Sequence, residues 1–159
     1  MSAPPRKDGP GLTRRDELAV SGAAMSHAPW GAAAVTGAVV TGGDLMLHLA
    51  SLHLGLSPSL AAGTVAFFAV AGGGAVLRSH SGRAMRWARR NPWRFAVLPG
   101  LATAVVVFVL AVVLGSGGLV GGAFDALWHG AITFGLTGLA GTVAGSRKDR
   151  TAYRDGATY

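Results

Sequence analysis

The stretch FAVLPGLATAVVVFVLAVVL, residues 95–114, contains no ionisable side chain, and Thr103 is its only hydroxyl. As a helix rising about 1.5 Å per residue it is about 30 Å long, the thickness of a bilayer's hydrocarbon core. Lipid offers an unpaired backbone no hydrogen-bond partner, so a run of this kind crosses as a helix. The pattern recurs on both sides of it. Apolar blocks also cover 31–52, 58–77 and 122–144, and across the 159 residues half are hydrophobic while only 13% are charged. That charged fraction is low for a soluble domain. The expected fold is an all-α integral membrane protein: a four-transmembrane-helix up-down bundle over 28–145, with tails at 1–27 and 146–159 and a loop at 78–94.

Charge sets the expected orientation. Arg6, Lys7, Arg14 and Arg15 precede the first block, Arg78, Arg83, Arg86, Arg89, Arg90 and Arg94 separate the second from the third, and Arg147, Lys148, Arg150 and Arg154 follow the fourth. These are all fourteen basic residues, and the remaining loops, SLHLGLSPS and GSGGLVGG, have none. The positive-inside rule then predicts cytoplasmic termini and middle loop, in a multi-pass protein of the plasma membrane. The net charge of +7 follows from that layout without any nucleic-acid partner. LTRRDELAV loosely resembles a twin-arginine export signal, but Asp16 and Glu17 stand where such a signal needs apolar residues. Thr13 to Asp16 reads instead as a capping box opening a short interfacial helix. The preceding MSAPPRKDGPG has a disordered composition, and Met25 offers an alternative start.

Two short motifs interrupt the apolar blocks: GGDLMLHLA, residues 42–50, and GGAFDALWHGA, residues 121–131. Each places an Asp four residues before a His, Asp44 with His48 and Asp125 with His129, so each pair shares a helix face. Measured from the expected span ends, His48 lies about 3 Å and Asp44 about 9 Å inside the core, Asp125 about 5 Å and His129 about 10 Å. The two pairs are therefore level. If the first and last helices of the bundle are neighbours, the four side chains form one cluster. An intramembrane Asp costs about 2.5–3.5 kcal/mol on insertion scales and needs a partner. Three roles fit: interhelical hydrogen bonding, proton or ion handling through His protonation, and a zinc-type metal site of two imidazoles and two carboxylates. His27, His53 and His80 read as solvated loop or interface residues.

Small-residue pairs, Ala33 with Gly37, Ala62 with Ala66, Ala69 with Gly73 and Gly141 with Gly145, predict close helix packing and permit a homo-oligomer or a membrane-protein partner. Trp30, Trp93 and Trp128 fall near the expected span ends, where indole rings anchor at headgroups. The loop RSHSGRAMRWARRNPWR, residues 78–94, holds arginines and no acid. Ala84, Trp87 and Ala88 can line one helical face before Pro92 ends it, leaving Arg83, Arg86, Arg89, Arg90 and Arg94 to contact anionic lipid headgroups or, less simply, nucleic acid. Without Cys there is no thiolate chemistry. No hydrolase, phosphate-loop or zinc-protease motif occurs, so an enzyme is the weaker reading, and no cofactor is implied beyond a divalent metal such as zinc.

In layout and composition, NPWRFAVLPGLATAVVVFVLAVVL and WHGAITFGLTGLAGTVAGSRK, within residues 78–148, resemble the small membrane spread proteins of actinobacterial conjugative plasmids. That resemblance implies a short polytopic protein assisting DNA transfer between cells, with the arginine loop facing a translocation partner. It carries no specific functional residue. Two function classes follow: a non-enzymatic accessory or assembly component, and a small proton-, ion- or metal-handling protein built on Asp44, His48, Asp125 and His129.

Overall fold

The computed structural model describes residues 13–51, 56–77, 83–115 and 118–156. Six helices account for them: α1 (Arg14–Met25), α2 (Trp30–Ala50), α3 (Leu56–Leu77), α4 (Arg83–Arg90), α5 (Pro92–Leu114) and α6 (Gly118–Gly156). No strand occurs among the described residues. The segment 1–11, read as disordered, lies outside them, as do His53 and His80.

The helix ends follow local chemistry. Thr13 caps α1: its hydroxyl accepts from the Asp16 amide at 3.3 Å, and the Asp16 carboxylate takes the Thr13 amide in return at 3.2 Å. This is the capping box expected from the sequence. The Thr13 hydroxyl, donating to the carboxylate, and the backbone contact hold the Asp16 acid below its ordinary value. Pro92 occupies the first turn of α5, where its missing N–H costs nothing. Pro99 sits inside α5, and Thr103, four residues on, donates its hydroxyl to the Pro99 carbonyl at 2.9 Å.

Three described helices, α2, α3 and α5, are long and apolar enough to cross a membrane. They coincide with the expected spans 31–52, 58–77 and 95–114 to within a few residues. The expected fourth span, 122–144, is not among them. Residues 122–144 fall within α6, whose 39 residues extend about 58 Å. Asp125, His129, the threonines and the many glycines dilute its hydropathy, and the polar sequence after Gly145 continues the helix.

The packing is read from its glycines. A Cβ on Gly130 would stand 2.9 Å from the Ala104 Cβ and 3.0 Å from the Gly100 carbonyl oxygen, and one on Gly100 would meet the Phe134 Cβ at 3.0 Å. Gly122 lies against Ala111 and Val112, Gly138 under the Trp93 ring, and Gly141 against Pro92. Thus residues 122–141 of α6 run antiparallel to α5 along the length of α5. On α3, Gly72 faces Pro99 and Thr137, and Gly73 faces Ala140. The buried Thr137 hydroxyl has no hydrogen-bond partner there. On the other side of α3, Gly63 meets Gly37 and Thr41 of α2, while Gly74 meets Pro29. Successive long helices alternate in direction, as an up-down arrangement requires.

The bundle is not closed in the expected way. Among the described residues α3 packs against α2, α5 and α6, but no Cα of α2 comes within 8 Å of one in α5 or α6. The reason lies in where small residues stand. Only Ala33 and Gly37 of α2 are buried, and the Gly37 seam is spent on α3; on α6, Gly122, Gly130, Gly138 and Gly141 are occupied by α5. Accordingly 11% of the α2 span is buried against 39% of α3.

At one end of the bundle, α1 and α4 pack under the long helices. Met25, Ala28, Met85 and Ala88 join Ala75, Val76 and Phe95 in a common core. The expected inner face of α4 is right in Ala84, Trp87 and Ala88, with Met85 the most central addition. Two tryptophans do more than anchor: Trp30 stacks on Phe67 with ring centres 5.9 Å apart, and Trp93 on Phe134 at 5.5 Å. Trp128 is exposed.

Two expectations test this packing. Gly130→Val overfills the α5–α6 seam and should destabilise the protein by about 1–3 kcal/mol, whereas Gly135→Val, where a Cβ meets nothing within 4 Å, should be close to neutral. Reversible unfolding in detergent micelles, followed by circular dichroism, compares the two; equal effects would refute the seam. The Asp16 cap contributes above the ordinary carboxylate value and is lost as pH falls through the depressed one. The protection of first-turn amides of α1, measured against their intrinsic exchange rates, should therefore fall in acid, and Asp16→Asn should remove that pH dependence.

Candidate functional site

The two Asp/His pairs lie at the end of the bundle opposite α1 and α4, on either side of the first turn of α3. On the α2 side, the Asp44 carboxylate accepts a hydrogen bond from the Ser59 hydroxyl at 2.7 Å. Ser59 is buried, while Asp44 and His48 are each about one third exposed. His48 Nδ1 lies 2.8 Å from the Asp44 carbonyl oxygen and 3.2 Å from its carboxylate. Both neighbours accept, so Nδ1 is the donating nitrogen. Asp44 also faces the amino-terminal turn of α3, where unpaired amides favour negative charge.

On the other side, Asp125 and His129 line a cavity of about 390 Å³ together with Ser57, Ala61, Val107 and Ala111. His129 Nδ1 lies 2.7 Å from the Asp125 carbonyl oxygen, so Nδ1 is again the donating nitrogen. The Asp125 side chain is exposed and has no hydrogen-bond partner among the described residues. Below it the same face of α6 turns inward: Thr133, whose hydroxyl donates to the His129 carbonyl at 3.1 Å, and Thr137 are both fully buried.

The structure sets both pairs beside the start of α3: Asp44 meets Ser59, and Asp125 and His129 share a cavity with Ser57 and Ala61. It does not join them. With α3 between α2 and α6, the four side chains do not converge within one chain, and no group of three or more metal-ligating side chains occurs among the described residues. The single four-ligand cluster is corrected to two separate pairs. Sequence reasoning missed Ser57 and Ser59, although a Ser-Pro-Ser opening of an apolar helix is a recognisable amino-terminal signal.

The arginines divide by role. Arg89 Nε donates to the Val76 carbonyl at 3.1 Å, covering an unpaired acceptor at the end of α3. Arg94 of α5 forms an ion pair with Glu17 of α1, a partner that the sequence did not suggest. Arg86 and Arg90 are exposed, and Arg83 opens α4. His27 is exposed and directs Nδ1 to the Ala23 carbonyl at 3.2 Å.

No protein-family model, curated protein or solved structure matches the chain.

The Ser59–Asp44 bond is a measurable interhelical tie. In a double-mutant cycle with Ser59→Ala and Asp44→Asn, a coupling of about 0.6 kcal/mol, and no more than about 1.7, is expected for a hydrogen bond of this kind. Zero coupling would show that α2 is not registered through this contact.

Proposed function

We propose that this chain is a small, non-enzymatic membrane protein that acts as an accessory or assembly component. Residues 122–144 form its fourth crossing, and both termini and α4 lie in the cytoplasm at the plasma membrane. The support for the fourth crossing is the α5–α6 seam. Contacts from Gly122 with Ala111 to Gly141 with Pro92 run the full length of α5, so a membrane that contains α5 also contains that part of α6. The orientation rests on the basic residues, which gather at the α1–α4 end.

The observation that carries the assembly role is uncovered polarity within the membrane. Asp125 is exposed, Asp44 and His48 are partly so, and α2 is covered along one seam only, beside a groove of about 400 Å³ that reaches Val106. Ionisable groups at that depth are costly facing lipid. A second copy or another membrane protein would cover them. The resemblance to plasmid spread proteins agrees with such a role, with α4 and its exposed Arg86 and Arg90 turned to a cytoplasmic partner or to anionic lipid.

A proton- or ion-handling role is the second reading. It is favoured by one feature, the cavity lined by both Asp125 and His129. Should that role hold, replacing Asp125 and His129 abolishes function while membrane insertion and assembly persist.

Because the chain has no cysteine, topology is directly testable with single-cysteine variants and a membrane-impermeant maleimide. Leu119→Cys should label from outside intact cells, and Thr13→Cys, Arg90→Cys and Ala152→Cys only after permeabilisation. Labelling of positions 119 and 152 from the same side would refute the fourth crossing. Native mass measurement in mild detergent should give a multiple of the 16.0 kDa chain, or a stable complex. A strictly monomeric, partner-free protein would remove the assembly role.

A further inference from the structure

Between α1 and α5 lies a groove of about 350 Å³ lined by Glu17, Leu18, Ser21, Arg94, Val97 and Leu98. Its composition is divided. One end carries both signs of charge, the Arg94 guanidinium and the Glu17 carboxylate, paired with each other. Beside them is Ser21, only 3% exposed, which makes no hydrogen bond among the described residues. The other end is apolar and continues along α5: Val97, Leu101 and Val105 recur at helical spacing and are 48%, 61% and 57% exposed. From Arg94 to Val105 this track rises about 16 Å, half the hydrocarbon core and so one leaflet.

We infer that this groove holds one phospholipid with a zwitterionic, amine-bearing headgroup, taken from the leaflet at the basic end. The phosphate meets Arg94 and the Ser21 hydroxyl, the ammonium meets Glu17, and an acyl chain lies on Val97, Leu101 and Val105. Guanidinium binds phosphate through paired, charge-assisted hydrogen bonds. Glu17 sets the preference: it accepts from an ammonium, and it repels a headgroup that brings only negative charge. The assignment differs from general attraction of the arginines to anionic lipid, which predicts the opposite order. It rests on the membrane-crossing arrangement proposed above.

The test uses the full chain in detergent, titrated with phosphatidylethanolamine or phosphatidylglycerol and read by native mass spectrometry. The wild type should retain the ethanolamine lipid about tenfold better, the equivalent of one strong polar contact. Glu17→Gln should bring the ratio to about one. Arg94→Gln should weaken both lipids, and Ser21→Leu, which fills the groove and leaves the ion pair in place, should do the same if Glu17→Gln fails to fold. Equal retention by the wild type, a preference for the glycerol lipid, or a preference that survives Glu17→Gln would overturn the assignment. So would displacement of the lipid by glycerophosphoethanolamine at equal concentration, which would make this a site for a soluble phosphoamine. Failure of the membrane arrangement itself would show separately, as a chain that fractionates without membranes and needs no detergent.

Discussion

The structure depends on how closely other helices can approach α3. Lipid tails are as apolar as leucine, so membrane helices gain little by hiding apolar surface from one another and associate through close van der Waals contact instead. Helix α3 permits that contact on several sides. Gly63 admits α2, Gly72 and Gly73 admit α5 and α6, and Gly74 admits Pro29 before α2. A helix that receives three partners stands between them. This is why α2 and α6 do not meet, and why the two Asp/His pairs are divided by the first turn of α3.

The seams are unequal in strength. Helices α3, α5 and α6 contact one another mutually, whereas α2 has one partner among the long helices. Its register relies on the Gly37–Gly63 approach, on Pro29 against Gly74, and on the Ser59–Asp44 bond. The basic end is braced differently. Arg94 ties α5 to Glu17 of α1, and Arg89 of α4 covers the last turn of α3. The long helices thus form a tightly packed trio, α3, α5 and α6, with α2 held along a single seam.

Much of this architecture was legible in the sequence. Apolar length located α2, α3 and α5, Thr13 and Asp16 marked the start of α1, and Ala84, Trp87 and Ala88 marked the inner face of α4. The i+4 spacing of Asp44 with His48 and of Asp125 with His129 gave the local pairs, and the rise per residue gave their common depth. Lateral neighbours were not legible. They are set by which glycine meets which backbone, and in a chain with 25 glycines spacing alone does not distinguish a seam such as Gly130 from an open position such as Gly135. The Glu17–Arg94 pair was hidden for a related reason: it joins residues far apart in sequence through the docking of α1, which leaves no local signature.

Within one chain, α3 separates the two Asp/His pairs. The most direct test is oxidative cross-linking in native membranes with two double-cysteine variants of the naturally cysteine-free protein, Asp44→Cys/Ser59→Cys and Asp44→Cys/His129→Cys. An intramolecular disulfide is expected in the first and none in the second. An intramolecular disulfide between positions 44 and 129 would contradict that separation, and would restore a single cluster built from neighbouring first and last helices.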